Sequence, residues 1–144
     1  MVTVRVLLEA ELEWANARYA EIDFLPSDPQ DFVAVAEIDH VRVGVGRLVR
    51  ASDEAGELGG IFVLPQYRGH GAADAIVSFL LQQSPFRQLF CVPFSHLNQF
   101  YMGFGFHPVT DATVAPPAIA DKVRWCDSHY PAPVTLLVRH GDTL

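Results

Sequence analysis

The chain has 144 residues, of which 50% are hydrophobic and 19% charged, and its formal net charge is −7 at pH 7. This length gives room for one domain, over residues 1–144, and the composition is globular rather than disordered. The negative charge argues against a nucleic-acid partner, although backbone N–H groups can still hold a small anion. Short apolar runs, no evident signal peptide and two isolated cysteines lead us to expect a cytoplasmic protein without a membrane partner.

The first half of the chain predicts a strand, a helix and then three more strands. Residues 3–8 are extended and apolar, and residues 11–22 place apolar side chains on one helix face. Two alternating segments, 32–38 and 41–49, are separated by only two residues, which favours a hairpin. The next strand, 57–63, contains a pair of glycines that indicates a bulge or the close approach of a ligand.

The second half predicts helices and strands in alternation. A helix over residues 72–83 precedes a short strand over 89–92, and a short helix over 97–104 ends near a glycine. After a proline-rich loop come a helical turn over 119–126 and a final strand over 134–138. The order of these elements predicts an α/β (α+β) fold in which helices flank a mixed sheet.

Residues 63–73 (VLPQYRGHGAA) have the composition of an anion site between a strand and a helix. Gly69 and Gly71 permit backbone angles closed to other residues, and the start of the helix offers unpaired N–H groups and a partial positive charge. Arg68 adds a cation, so the site suits a pyrophosphate. The alternative is a turn whose glycines only set the geometry. A Walker A loop and a dinucleotide fingerprint do not fit, because the Lys-Ser/Thr pair and the third glycine are missing.

Two motifs make the resemblance to a known family specific. Residues 63–73 resemble motif A of the GNAT acetyltransferase superfamily, Gln/Arg-x-x-Gly-x-Gly/Ala, with Arg68, Gly71 and Ala73 in the defining places. Residues 100–106 (FYMGFGF) resemble the family's F/L-Y-x-x-x-G-F motif. Because both motifs occur in order and at a suitable distance, the chain resembles a GNAT N-acetyltransferase over most of its length.

The resemblance implies a mostly antiparallel GNAT-like sheet whose fourth and fifth strands splay apart, with acetyl-CoA as cosubstrate and no metal. Backbone groups of three residues would pair with the pantetheine amides: Ile61, Phe62 and Val63. The pyrophosphate would lie on the residues after that strand: Arg68, Gly69, His70, Gly71, Ala72 and Ala73. Asn98 is a further candidate for a pantetheine contact. The family more often has its asparagine where this chain has Phe94, so Ser95 and His96 are alternatives.

Candidates for an acid and a base follow from the same resemblance. Attack on a thioester needs a neutral amine, and deprotonating an amine with a pKa near 10.4 costs roughly 4 kcal/mol at neutral pH. The resemblance implies that Tyr101 protonates the departing thiolate and that Glu57 accepts the amine proton, directly or through water. The alternatives are a core tyrosine and a surface carboxylate, with Glu54 as a weaker substitute for the base.

The acceptor groove of the family corresponds to residues 19–27 and 125–133, which make Tyr19, Phe24 and Tyr130 candidate contacts. No long acidic stripe announces a polyamine or a histone tail, so we expect a small-molecule acceptor with a primary amine. A simple amine, an amino acid and an antibiotic-like molecule all stay open. The family often pairs its subunits, which makes a homodimer an expectation. Two alternatives to an enzyme are a non-catalytic acyl-CoA sensor and a protein-interaction module on the same fold.

Overall fold

The structure is a computed structural model that describes residues 1–111 and 114–141. The described chain forms two compact units, one of Met1–Leu48 with Gly60–Ser84 and the other of Val49–Gly59 with Pro85–Leu144. The predicted domain, 1–144, includes residues 112–113 and 142–144, which lie outside the described residues. A single domain over the whole chain therefore stays a prediction.

Strands and helices alternate along the described chain. The strands are β1 (Val2–Val6), β2 (Phe32–Ile38), β3 (Val41–Arg50), β4 (Ala55–Val63), β5 (Gln88–Cys91), β6 (His107–Pro108) and β7 (Leu137–His140). The α-helices are α1 (Leu12–Glu21), α2 (Ala72–Gln83), α3 (Asn98–Met102) and α4 (Pro117–His129). Single 3₁₀ turns span Glu9–Glu11, Pro65–Tyr67 and Ser95–Leu97. Within residues 1–111 and 114–141, no helix is both long and apolar enough to cross a membrane.

Local sequence signals predicted the positions of most of these helices and strands. The hairpin of β2 and β3 is confirmed, because the two residues between the strands, Asp39 and His40, both have positive φ values of 51° and 66°. Such angles give the tight turn whose twist matches that of the flanking strands. Helix α2 has the predicted bounds, Ala72–Gln83, and its C-cap is Ser84, the residue before a proline.

The predictions for the C-terminal part need correction. The last strand is Leu137–His140 rather than 134–138, and Val134 forms only an isolated bridge with Phe94. The apolar run over 134–138 fits several registers, whereas the antiparallel pairing of β7 with β5 selects one, with Leu137 opposite Cys91. Strand β6 was not predicted, because two residues carry no periodic pattern.

The first unit has the strand order β1-β2-β3-β4, with antiparallel pairing of β1 with β2 and of β2 with β3. A core cluster lies under α1: Ala15, Tyr19, Val35, Val45 and Phe62. Helix α2 packs closely on β3, since a Cβ on Gly46 would lie 2.4 Å from Ile76 Cγ2. This close packing fixes the position of the first turn of α2.

The second unit has the strand order β4-β5-β7-β6. The parallel pairing of β4 with β5 covers three positions, from Ala55 opposite Gln88 to Glu57 opposite Phe90. The chain after β5 then bonds elsewhere, because the carbonyl of Pro93 accepts the Thr135 N–H at 3.0 Å. The predicted fold, a mixed, mostly antiparallel sheet with helices and splayed central strands, is confirmed.

Candidate active site

The segment between β4 and α2 forms a cradle of backbone groups, defined by residues 68–73. Gly69 and Gly71 have φ values of 86° and 83°, a conformation that favours glycine, and a Cβ on either would point into open space. No side chain caps α2 at Gly71, so the N–H groups of its first turn keep their hydrogen-bonding capacity. His70 is exposed beside them. This geometry fits the phosphate groups of a nucleotide-like ligand.

Arg68 is exposed at the edge of the cradle but is held by the strand that precedes it. Its Nε donates to the Val63 carbonyl at 3.1 Å, and its guanidinium carbon lies 5.9 Å from the centre of the Phe62 ring. Among the described residues it forms no ion pair, so its charge is available to an anion. The same bond engages the Val63 carbonyl, one of the backbone groups predicted to pair with pantetheine.

Glu57 lies on β4 in the second unit and is paired with Lys122 of α4. Lys122 Nζ donates to Glu57 Oε2 at 2.7 Å, and the Glu57 side chain is 14% exposed. Its other oxygen, Oε1, has no hydrogen-bond partner among the residues that the structure describes. Sequence reasoning missed Lys122, although it is the single lysine of the chain. That rarity was a signal that could have drawn attention to it.

Tyr101 lies on α3 in the same unit and is 6% exposed. Burial raises the pKa of its hydroxyl, and the neighbouring Cys91 raises that pKa further, so the group stays protonated at neutral pH. In the described part of the chain, the hydroxyl has no hydrogen-bond partner. The Phe100 and Phe106 rings contact the Tyr101 ring edge-on, with centroids 5.0 and 6.2 Å away. The ring is therefore fixed while its hydroxyl is free to donate.

The Cys91 thiol on β5 interacts electrostatically with Glu57, Lys122 and Tyr101. Burial raises the pKa of its thiol, Glu57 raises that pKa further, and Lys122 lowers it. Burial likewise raises the pKa of Cys126. Both thiols are free and buried, so Cys126 is a small buried residue rather than an exposed nucleophile.

Asn98 precedes Tyr101 by one helical turn and has one unsatisfied atom. Its Nδ2 donates to Thr135 Oγ1 at 3.0 Å, and the same hydroxyl lies 2.8 Å from Ser95 Oγ. Its Oδ1 is buried without a partner among the described residues. A buried acceptor without a donor is costly, so a ligand N–H at this point would be stabilising.

The three candidate acceptor residues have different surroundings. Tyr19 is 0% exposed and its hydroxyl donates to the Gly60 carbonyl at 2.9 Å, so no surface is left for an acceptor contact. Phe24 is half-buried, with its ring 6.4 Å from that of Tyr19. Tyr130, in the other unit, is half-buried and meets the Phe94 ring edge-on at 5.3 Å. We therefore remove Tyr19 from the predicted acceptor contacts.

The described residues contain no group of three or more His, Cys, Asp or Glu side chains that could hold a metal ion. The uncapped helix start and the glycine cradle belong to one unit, and the Glu57 and Tyr101 pair belongs to the other. The cradle in the first unit has the features of a site for a phosphate-bearing ligand.

The model of the acetyltransferase (GNAT) domain family matches residues 29–108, which is more than half of the chain. The chain therefore belongs to the GNAT family of acetyltransferase domains. The cradle of residues 68–73, described above, fits the phosphates of a nucleotide-like ligand such as coenzyme A. None of the curated protein sequences compared with this chain matches it.

Several solved structures share the fold. N-acetylglutamate synthase from Neisseria gonorrhoeae, complexed with coenzyme A and N-acetyl-glutamate, has a TM-score of 0.75 at 16% identity. The match covers 99% of this chain but 36% of that one, so this chain spans only part of that protein. Rv2747 from Mycobacterium tuberculosis, in complex with CoA and NLQ, has a TM-score of 0.77 at 18% identity, over 96% and 98% of the two chains. Escherichia coli ElaA has a TM-score of 0.68 at 20% identity, over 97% and 100%.

Proposed function

We propose that this protein is an N-acetyltransferase that moves the acetyl group of acetyl-CoA to the primary amine of a small acceptor by direct attack. The observation that carries the proposal is that two oxygens in the second unit have no hydrogen-bond partner among the described residues. They are Oε1 of Glu57 and the protonated hydroxyl of Tyr101. One is a proton acceptor and the other a proton donor. An acid and a base are what attack by an amine on a thioester requires.

Donor binding is proposed for the cradle and for the strand that leads into it. The N–H groups at residues 69–73 and the Arg68 guanidinium would hold the pyrophosphate, with the exposed His70 beside it. The backbone of residues 61–63 would pair with the pantetheine amides as an added strand does. Asn98 Oδ1, buried and unsatisfied, would accept one pantetheine N–H.

Glu57 is the proposed base. Its Oε2 is held by Lys122, which fixes the carboxylate and presents Oε1 as the accepting atom. Because a carboxylate is a much weaker base than an amine, Glu57 would take the proton as the new C–N bond forms rather than before it. A water between the amine and Oε1 would extend the reach of the carboxylate.

Tyr101 is the proposed acid. As the C–S bond of the thioester breaks, its hydroxyl would donate to the developing thiolate. Burial and the raised pKa keep the proton on the hydroxyl, and the edge contacts with Phe100 and Phe106 fix the ring. Glu57 gains the proton that the amine loses and Tyr101 loses the proton that the thiolate gains, so CoA leaves as the thiol. A proton passed from Glu57 to the Tyr101 oxygen through water would then restore both groups.

The acceptor is proposed to be a small amine-bearing molecule that contacts Phe24 and Tyr130. A similar fold is found in a structure that holds N-acetyl-glutamate, the acetylated form of an amino acid. This supports an amino acid over the other small amines that the sequence leaves open.

Two measurements test the proposal: the binding of acetyl-CoA and the release of free CoA thiol. Calorimetry with acetyl-CoA should show one site per chain, and the release of free CoA thiol should then rise with one or more members of a panel of primary amines. Glu57→Gln and Tyr101→Phe should each slow this release without weakening acetyl-CoA binding. Binding without turnover on a broad panel would instead indicate the sensor, and a lack of binding would indicate an interaction module.

A cytoplasmic location and a homodimer complete the proposal. The two free, buried thiols suit a reducing compartment. Cell fractionation tests the location, and sedimentation equilibrium tests whether two copies associate.

A further inference from the structure

The geometry points to Arg47 as a binding site for the carboxylate of the acceptor, which makes the acceptor an amino acid or a similar molecule that carries both an amine and a carboxylate. This inference rests on the proposed function and names its substrate class. Arg47 lies on β3, in the first unit, and no pattern in the sequence singles it out.

The guanidinium of Arg47 is buried and held on two sides. The residue is 7% exposed, and its guanidinium carbon lies 4.3 Å from the centre of the Tyr19 ring. Nη1 donates to Ser27 Oγ at 2.7 Å. Ser27 is itself fixed, because its N–H donates to Asn16 Oδ1 at 2.7 Å and its carbonyl accepts from Asn16 Nδ2 at 3.1 Å. The guanidinium is therefore positioned before any ligand arrives.

The charge of Arg47 has no counter-ion in the described part of the chain. Among the residues that the structure describes, Arg47 forms no ion pair and no hydrogen bond besides that to Ser27. The negative charge of Asp31 raises the pKa of Tyr19, but Asp31 lies beyond ion-pair distance from Arg47. Its Oδ2 instead accepts the Asp28 N–H at 3.0 Å. A buried cation without a partner is unfavourable, and an incoming carboxylate would supply the partner.

The backbone of Gly60 lies directly beside Arg47 Nε. Gly60 on β4 has a φ of 61°, and a Cβ at this position would lie 2.9 Å from Arg47 Nε and 2.7 Å from the Tyr19 hydroxyl. Only glycine fits both the angle and the space. Gly60 directly precedes residues 61–63, the proposed pantetheine segment. The Arg47 guanidinium therefore lies beside the strand that leads into the proposed donor site.

The free edge of the guanidinium has the geometry for a carboxylate. With Nη1 bonded to Ser27, Nε and Nη2 remain as two parallel donors. Two parallel N–H donors match the two oxygens of a carboxylate, and such charged, bidentate bonds are stronger than neutral ones. A neutral carboxamide would gain only one of the two bonds, because its nitrogen donates rather than accepts.

Equilibrium binding to the wild-type protein tests this without any need for turnover. The probes are N-acetylglycine, N-acetyl-L-phenylalanine and N-acetyl-L-glutamine, each compared with its C-terminal amide in the presence of CoA. We expect at least one carboxylate to bind about 10- to 100-fold more tightly than its amide. Equal binding of both members in every pair, or no binding by any of them, would overturn the inference.

Variants assign the difference to Arg47. Arg47→Met should abolish the preference for the carboxylate, while Arg47→Lys should keep part of it, because lysine retains the charge but not the fork. Acetyl-CoA binding should be unchanged in both. Arg50→Met, an exposed arginine on the same strand, is the matched control and should keep the full preference. If Arg47→Met does not fold, the inference is still tested by Arg47→Lys and by the carboxylate and amide probes bound to the wild-type protein.

Activity separates this inference from the proposed function. If amines are acetylated but amino acids and their amides react equally well, Arg47 is structural and the acetyltransferase proposal stands. If carboxylates bind through Arg47 but no amine in the panel is acetylated, the carboxylate site stands and the catalytic proposal fails.

Discussion

The ammonium nitrogen of Lys122 lies 2.7 Å from Oε2 of Glu57, so the single lysine of the chain is paired with the carboxylate proposed as the base. The pair joins α4 to β4 within the second unit. It holds the carboxylate in place through Oε2 and leaves Oε1 without a partner among the described residues. Lys122 is thus a positioning residue for Glu57, and its removal should slow the chemical step.

Lys122→Met should lower kcat with little change in the affinity for acetyl-CoA. Without the ammonium, Oε2 of Glu57 loses its hydrogen bond, and the carboxylate is no longer held in one position. Lys122→Arg keeps a charged donor and should retain more of the wild-type rate. An equal kcat in wild type and Lys122→Met would show that the pair has no influence on the base.

Tyr101→Phe should lower kcat about 10²-fold with little change in the affinity for acetyl-CoA, because a general acid is lost while the ring packing remains. Burial raises the pKa of Tyr101, so in the wild type this group should not cause a loss of activity between pH 7 and 10. Single-turnover release of CoA thiol measures the chemical step directly. An unchanged rate in Tyr101→Phe would remove this residue from the mechanism.

Gly71→Ala should weaken acetyl-CoA binding and lower the free energy of unfolding by about 1–2 kcal/mol. The residue has a φ of 83°, so the added Cβ is strained although there is space for it. Relief of that strain would reorient the N–H groups that start α2. The matched control is Gly103→Ala, where φ is −63° and the added Cβ meets the Phe100 carbonyl oxygen at 3.3 Å without needing a left-handed backbone. Calorimetry and chemical denaturation on both variants make the comparison.

Arg5→Met should destabilise the protein at neutral pH but not in strong acid. Arg5 donates two hydrogen bonds to Glu11, at 2.7 and 2.9 Å, and is the largest of the causes, with the Leu8 N–H and Arg42, that lower the pKa of that carboxyl from 4.5 to about 2. A lowered pKa stabilises the fold above pH 4.5, and this contribution disappears as the pH falls toward 2.

We expect a loss of about 1–3 kcal/mol in the free energy of unfolding of Arg5→Met at pH 7, since Arg5 is partly exposed and screened. The loss should shrink toward zero near pH 2. Arg87→Met, whose exposed partner Glu54 lies 3.7 Å away, is the control and should cost little at either pH. A constant loss across this range would mean that Arg5 contributes by packing alone.

Short-range signals explain how much of the fold could be predicted. The two-residue turn at Asp39 and His40, the apolar face of α1 and the proline after α2 each act over a few residues, and the structure has elements with nearly these bounds. The register of β7 could not be predicted, because it depends on pairing with β5, which lies about fifty residues earlier in the chain.

The sequence by itself determined the family and the glycine cradle at residues 68–73, because spacing along the chain encodes a strand-to-helix turn and a tyrosine motif. The resemblance to that family singled out Glu57 and Tyr101 as candidates. Only the tertiary structure decided which partners these groups meet. It paired Glu57 with Lys122, buried Tyr19 and left Arg47 as a buried cation with no counter-ion among residues 1–111 and 114–141. The physical reason is that burial and ion pairing depend on residues distant in sequence, which local patterns do not encode.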